Sequence, residues 1–332
     1  MIGFCLAAGA GTRLEPLTRV TPKPLLAPAG RPLADLAVEA LQRAGATRVV
    51  VNAHHGADLL VAHLAGRPGV EVVVEPVLLG TGGGLVNAAH LGLLGTGDDP
   101  VLVTAADHVV DPADLADLAA FLTRSGAPMT AGLVPAGPDP FGLRLEVGSG
   151  APGAQVVRDR AGPWDSAGAY AVRAGLLCDL EPGPATLSGR VLGPLLDRGQ
   201  LTGLPLRGPV ADAGTLARLL DVSAGLLGGR WPYQLPPGQL RQAPGSAPVF
   251  VAAGAEVDPA AVLVGPVVVD TGATVGAGAV VTRAVVGPGA VVGPDARVTG
   301  SFLGPGAHVP PGATATTALV PGLAAKPQGE GA

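Results

Sequence analysis

The stretch Leu6-Ala-Ala-Gly-Ala-Gly-Thr-Arg-Leu-Glu-Pro-Leu-Thr-Arg-Val-Thr-Pro-Lys-Pro-Leu25 concentrates residue types that handle phosphate. Gly9 and Gly11 let backbone N–H groups close around phosphate oxygens with no Cβ in the way. Arg13 and Lys23 add cations. A phosphoryl group in transfer spreads negative charge over its oxygens, and fixed cations stabilise that charge. Pro22 and Pro24 stiffen the backbone on both sides of Lys23. The chain has nineteen arginines and two lysines, Lys23 and Lys326. A lysine kept between two prolines in an arginine-using sequence points to a role for a compact ammonium.

Three further segments carry candidate groups. Glu75-Pro-Val-Leu-Leu-Gly-Thr-Gly-Gly-Gly84 opens a helix, and a helix start suits an anionic or polar ligand. Thr104-Ala-Ala-Asp-His108 follows an apolar strand; read alone, Asp107 fits a turn or helix-cap carboxylate as well as a ligand. Ala211-Asp-Ala-Gly-Thr215 precedes a helix that Asp212 could cap.

Short apolar runs alternate with helical patterns over the first 230 residues. Ile2–Leu6, Val49–Asn52, Val70–Val74, Val101–Thr104 and Met129–Val134 read as buried strands. Pro32–Ala44, Gly83–Leu94, Asp114–Ser125 and Thr215–Leu227 read as helices. This alternation predicts an α/β, Rossmann-like, mainly parallel sheet. Ligands then bind beyond the carboxyl ends of the strands. Phe141–Val147, Gln155–Val157 and Ala167–Val172 could be strands of an insertion or a sheet extension.

Trp231–Pro248, rich in Pro, Gly and Gln, reads as a linker. Residues 249–316 repeat with period six: Val251, Val257, Leu263, Val269, Val275 and Val281. The series resumes after five-residue steps at Val286 and Leu303, with small residues in fixed phase between. This is the hexapeptide pattern of a left-handed parallel β-helix. Residues 317–332 read as a tail, and the coil edges make a homo-oligomer the expectation.

The segments, in this order, resemble the sugar-phosphate nucleotidyltransferases, or nucleotide-sugar pyrophosphorylases. Gly9–Leu25 matches G-x-G-T-R-L-x-P-L-T-x-x-x-P-K-P-L without a gap. Several branches of that family carry a C-terminal β-helix. The texture of Val51-Asn-Ala-His-His55 and Gly80–Gly84 is most similar to branches acting on mannose 1-phosphate or N-acetylmuramate 1-phosphate. The resemblance implies that an NTP and a sugar 1-phosphate give NDP-sugar and pyrophosphate, with Mg²⁺. It assigns catalysis to Arg13 and Lys23. Nucleotide binding falls to Leu6, Ala7, Ala8, Gly9, Gly11, Thr12, Glu75, Gly80 and Thr81. Asp107 and Asp212 would hold the metal. Gly142, Arg158, Arg160 and Gly168 would meet the sugar phosphate.

The sequence departs from the family pattern in places. The usual Glu-Lys-Pro is replaced by Gln155-Val-Val-Arg-Asp-Arg-Ala-Gly-Pro163, without lysine. The asparagine before the metal aspartate is Ala105. Trp164–Tyr170 keeps Gly168 but lacks the common Asn or Thr-Phe. Two alternatives follow: a nucleotide-sugar sensor with weak catalysis, and a bifunctional enzyme whose β-helix also transfers an acyl group, with His308 as base. His54 and His55 are either substrate contacts or solvated loop residues.

Composition excludes other classes. The 332 residues, 48% hydrophobic, suit two domains. A net charge of −5 with no Lys/Arg block argues against a nucleic-acid partner. Cys5 and Cys178 cannot form a disulfide framework or a four-ligand zinc site. No apolar run reaches the ~18 residues of a membrane span, and no basic region precedes the first apolar stretch. A cytoplasmic location is therefore expected.

Overall fold

The computed structural model describes residues 1–137, 144–147, 156–158, 163–242 and 244–322, with only the backbone of 144–147 and 156–158. It divides into two compact units. One comprises Met1–Ala10 and Leu33–Asp212, the other Gly11–Pro32 and Ala213–Ala332.

The first unit is built on strands β1 (Ile2–Leu6), β2 (Arg48–Ala53), β3 (Val70–Val74), β4 (Pro100–Ala105), β5 (His108–Val109), β6 (Met129–Pro135), β7 (Arg144–Val147), β8 (Val156–Arg158), β9 (Trp164–Arg173), β10 (Leu201–Pro205) and β11 (Ala211–Asp212). The main sheet runs β10-β6-β9-β4-β1-β2-β3. Its pairs are parallel except around β9, which lies antiparallel between β4 and β6. β7 pairs with β8 and β9, so this part extends the sheet.

Helices α1 (Leu33–Arg43), α2 (Ala57–Leu64), α3 (Gly80–His90), α4 (Pro112–Ser125), α5 (Ala174–Cys178) and α6 (Gly193–Asp197) connect the strands. Phe4, Val50, Leu85, Val101, Val103 and Met129 lie in the core. The chain winds from β1 to β2 and β3 on one side, then returns to β4 on the other. The crevice between β1 and β4 is thus the topological switch point. The α3 helix begins three residues before the expected start, because glycine's low helix propensity hides its first turn from pattern reading.

In the second unit α7 (Leu216–Leu227) packs on the repeat region. The described part of the expected linker is partly built into the fold. Trp231 is 2% exposed and lies against Gly225 of α7, where a Cβ would collide with its ring. β12 (Gly238–Arg241) pairs antiparallel with β13 (Val249–Ala252). Proline and glycine suggested a spacer, but the two aromatics Trp231 and Tyr233 have the burial of core residues.

The repeats form parallel coils. β13, β15 (Val262–Val269), β17 (Val280–Val286), β19 (Arg297–Thr299) and β22 (Thr314–Thr316) stack in one sheet. The short strands β14 (Glu256–Val257), β16 (Thr274–Val275), β18 (Val291–Val292) and β21 (His308–Val309) stack in another. β20 (Phe302–Leu303) pairs with β17 and β23 (Leu319–Val320). Val249 pairs with Val267, eighteen residues on; Val280 pairs with Arg297, seventeen residues on. The shortening falls where the five-residue steps stand. There Arg283, Gly300 and Thr317 take left-handed backbone, one above another at seventeen-residue intervals. A corner with one residue fewer turns more sharply and draws on that conformation even from non-glycine residues.

Asp270 is an unusual member of this unit. It is 3% exposed; one carboxylate oxygen accepts the Thr271 N–H at 2.7 Å, and the other has no hydrogen-bond partner. Burial pushes its carboxyl above the usual carboxylate range. The folded state therefore holds its proton at pH values where the unfolded chain has released it, and stability falls as pH rises through that interval. Asp270→Asn is expected to raise Tm by several degrees at pH 8, with a gain that shrinks toward pH 4, about the unperturbed carboxylate pKa. Thermal melts at both pH values check this; an equal gain at both would sink the argument.

Candidate active site

In the first unit, the carboxyl ends of β1, β2 and β3 are tied together by one buried chain of hydrogen bonds. The Ala7 N–H donates to Asn52 Oδ1 at 2.7 Å. Asn52 Nδ2 donates to Glu75 Oε1 at 2.7 Å, and the Leu79 N–H donates to Glu75 Oε2 at 3.0 Å. Asn52 and Glu75 are each 1% exposed. The Glu75 N–H donates to the Ala53 carbonyl, and His54 Nδ1 meets the Glu75 carbonyl at 2.8 Å. His54 thus adds a further tie between the ends of β2 and β3.

The glycines of α3 serve packing. A Cβ on Gly84 would collide with both Glu75 and Asn52; one on Gly82 or Gly83 would collide with the carbonyl of Thr186 or Gly183. Gly82 and Gly83 both donate their N–H groups to the Ala185 carbonyl at 3.0 Å, and Thr81 Oγ1 accepts the Leu187 N–H. The amides of Gly82 and Gly83 are therefore spent on protein. Gly9 is different: a Cβ there meets nothing within 4 Å. It faces open space at the switch point. If a nucleotide binds here, as the resemblance implies, Gly9→Ala is expected to keep the native Tm yet weaken that binding by about tenfold or more, because close approach of backbone to ligand is what the missing Cβ permits. Melting curves with calorimetric nucleotide titration check it; unchanged affinity would remove Gly9 from the site.

The other wall of the switch point carries the carboxylates. Asp107 stands on the turn between β4 and β5, and the Ala106 N–H donates to the Leu6 carbonyl. β5 pairs antiparallel with β11, with Asp212 opposite His108. His108 Nδ1 meets Asp107 Oδ1 at 2.9 Å. Gly168 has left-handed backbone at an irregularity of β9, and a Cβ there would collide with the His108 ring. Its glycine thus gives His108 its place. Neither aspartate caps a helix: Asp111 caps α4 and Thr215 caps α7. Burial, with the Asp107 charge second, pushes the Cys5 thiol up to about 12, so it stays protonated.

Asp107 and Asp212 offer carboxylate oxygens, the donor class that hard divalent cations take. Among the described residues no cluster of three or more metal-binding side chains occurs. A cation here would draw its remaining ligands from substrate phosphates and water, the usual arrangement for Mg²⁺ at nucleotides.

The second unit holds Gly11, Thr12, Arg13 and Lys23. Gly11 has left-handed backbone, with its carbonyl accepting from Thr18 Oγ1 at 3.1 Å. Arg13 is exposed; Lys23 is 9% exposed and begins a short 3₁₀ turn after extended Pro22. This segment is anchored to the C-terminal part. Leu17 lies against Gly304 of the coils, Ser223 Oγ donates to the Pro28 carbonyl, and Arg31 donates to the Gln234 carbonyl at 3.2 Å.

Residues 2–143 match the nucleotidyl transferase family model. An N-acetylmuramate alpha-1-phosphate uridylyltransferase of Neisseria meningitidis is 32% identical over 70% of this chain and 100% of its own length. The chain belongs to the nucleotidyl transferase family. A mannose-1-phosphate guanylyltransferase of Mycobacterium tuberculosis is 31% identical over 82% of this chain and 76% of its own. The Caulobacter vibrioides N-acetylmuramate alpha-1-phosphate uridylyltransferase is 43% identical, but over 32% of this chain and 46% of its own length. The match to the Aspergillus fumigatus mannose-1-phosphate guanyltransferase spans 31% of that protein. A solved Bacillus anthracis structure, assigned as a glucose-1-phosphate thymidylyltransferase, shares the fold at TM-score 0.57 and 20% identity, covering 68% of this chain and 94% of that one.

In this nucleotidyl transferase, Leu6 ends β1 and Ala7, Ala8 and Gly9 follow it at the switch point, while Glu75, Gly80 and Thr81 surround the start of α3. Gly142, Arg160 and the side chain of Arg158 fall outside the described residues. Asn52 and His108 were not singled out from sequence. Asn52 had a signal: an amide at the end of Val49-Val50-Val51 must find buried partners. His108 had none, since its role comes from β-pairing. His308 is exposed on β21. Among the described residues no helix is long and apolar enough to cross a membrane.

Proposed function

We propose that this chain transfers a nucleotidyl group from a nucleoside triphosphate to a sugar 1-phosphate, releasing pyrophosphate. One observation carries the reading. The β5–β11 pairing sets Asp212 across from His108, beside Asp107, at the crevice where the loop after β1 opens at Gly9. Hard carboxylates beside a side-chain-free loop suit a nucleotide triphosphate and its cation.

In the reaction, a phosphate oxygen of the sugar 1-phosphate attacks the α-phosphorus. The bond from that phosphorus to the bridging oxygen breaks, and pyrophosphate leaves. Arg13 and Lys23 would neutralise charge on the triphosphate as it shifts to the leaving group. Asp107 and Asp212 would hold Mg²⁺, which when bound offsets phosphate charge. His108 holds the Asp107 carboxylate in place. The relatives' names favour a uridylyl or guanylyl donor and an N-acetylmuramate or mannose 1-phosphate acceptor. Residues 1–230 would form the catalytic domain and the coils an assembly surface, with Val262, Val264 and Val291 exposed on their outside.

The test crosses UTP, GTP, TTP and ATP with a panel of sugar 1-phosphates and follows pyrophosphate with and without Mg²⁺. Turnover of one pair, absent without the cation, supports the reading. A second reading, a nucleotide-sugar sensor, draws on the absence of lysine between Lys23 and Lys326. Tight nucleotide-sugar binding with no turnover across the panel selects it.

A further inference from the structure

In the chain Ala7–Asn52–Glu75–Leu79 each bond has a fixed donor and acceptor. The donors converge on Glu75: the Ala7 amide points into the Asn52 carbonyl oxygen, the Asn52 amide into one Glu75 oxygen, and from the other side the Leu79 amide into the other. Asn52 and Glu75 are each 1% exposed, and Gly84 closes over them with no room for a Cβ. Both Glu75 oxygens thus accept from protein groups, and the Ala7 N–H is used as well.

We propose that Asn52 and Glu75 are positioning residues that set the nucleotide site without touching the nucleotide, in place of the direct contact that the resemblance implies for Glu75. The inference rests on the nucleotidyl-transfer reading and deepens it. The relay joins the loop after β1 to the start of α3. The first leads directly to Gly9, and the second carries the exposed pair Val77 and Leu78 just before Gly80. Fixing both ends holds the wall for the phosphates and the wall for the base at one spacing. A misplacement of about 1 Å in such a frame costs on the order of a hundredfold. Buried polar groups tolerate no reversal of a single donor, because the low-dielectric surroundings offer no water to repair it.

This polarity makes the proposal testable by exchange. Asn52→Asp sets two acceptors against each other at 2.7 Å. Glu75→Gln leaves one amide donor without an acceptor, whichever way its side chain is turned. The double variant N52D/E75Q reverses the central bond and satisfies every group: Ala7 still donates to position 52, position 75 now donates to 52, and Leu79 still donates to 75.

The four proteins are compared by Tm and by calorimetric titration with UTP and with GTP, each with Mg²⁺, and by KM for nucleotide and for sugar 1-phosphate. Each single variant is expected to lose about a hundredfold in nucleotide affinity at pH 8, with a smaller change in sugar-phosphate KM. N52D should recover partly at pH 6, where a proton shared between the two carboxylates supplies the missing donor; E75Q should not. The double variant is expected within about fivefold of native at both pH values. If a single variant fails to fold, recovery of fold and affinity in the double carries the same conclusion. A double variant that melts like the native protein but binds nucleotide as poorly as E75Q would overturn the proposal, since Glu75 would then be a direct contact. Native affinity in E75Q alone would overturn it too. Failure of the native chain to release pyrophosphate refutes the reaction and leaves the affinity cycle readable.

Discussion

Lys23→Ala is expected to lose turnover by about a thousandfold while its melting temperature stays near native, within the range seen when a fixed group aimed at developing charge is removed. The argument begins with the backbone. Pro22 is extended and Pro24 follows within a 3₁₀ turn, so the Lys23 Cα has little freedom. A Cβ on Gly11 would come within 3.1 Å of the Lys23 Cβ, so the glycine lets the lysine stem pass. Lys23 is 9% exposed, so most of its side chain is packed. A compact ammonium fits such a place; a planar guanidinium needs more width and a different approach. Lys23→Arg is therefore expected to recover little, in a chain that uses arginine almost everywhere else. Steady-state pyrophosphate release with Mg²⁺, beside thermal melts, decides it. Turnover in Lys23→Arg above a tenth of native would show that charge alone suffices.

The segment that bears Lys23 also shows how far sequence reading reached. The strands β1 to β4 and β6, and helices α1, α4 and α7, were legible because apolar periodicity is a local signal. The coils were legible for the same reason, with a period of six in place of two. Long-range contacts were not. The anchoring of Leu17 on Gly304 and of Pro28 on Ser223 links positions nearly two hundred residues or more apart, and no pattern in either segment announces it. Likewise, Gly80-Thr-Gly-Gly-Gly84 looked like a helix start open to an anion. Its central glycines instead admit the chain at Gly183–Leu187, and two of its amides serve the Ala185 carbonyl. Glycine is demanded equally by a ligand and by a neighbouring backbone, so its presence alone could not separate the two. Asn52 was the exception: a polar residue closing an apolar strand advertises a buried partner without naming it.

On the proposed reading, Asp107→Asn and Asp212→Asn are each expected to reduce turnover by about a hundredfold to a thousandfold and to weaken the apparent affinity for Mg²⁺, since each amide retains a neutral donor where a hard cation prefers charge. The two should not behave alike in other respects. Asp107 sits on a turn and is held by His108, so the amide at 107 can keep a hydrogen bond to that ring. Asp212 is 6% exposed within the two-residue strand β11, whose pairing with β5 is brief. An amide there removes buried charge without removing volume, and its melting temperature is expected to hold or rise. Mn²⁺ binding in the presence of nucleotide, read by electron paramagnetic resonance, separates cation affinity from turnover. Asp107→Asn and Asp212→Asn should both lose the nucleotide-dependent Mn²⁺ signal. If one keeps it, that carboxylate is a structural member of the β5–β11 pairing, and the cation is held by the other aspartate with phosphate and water.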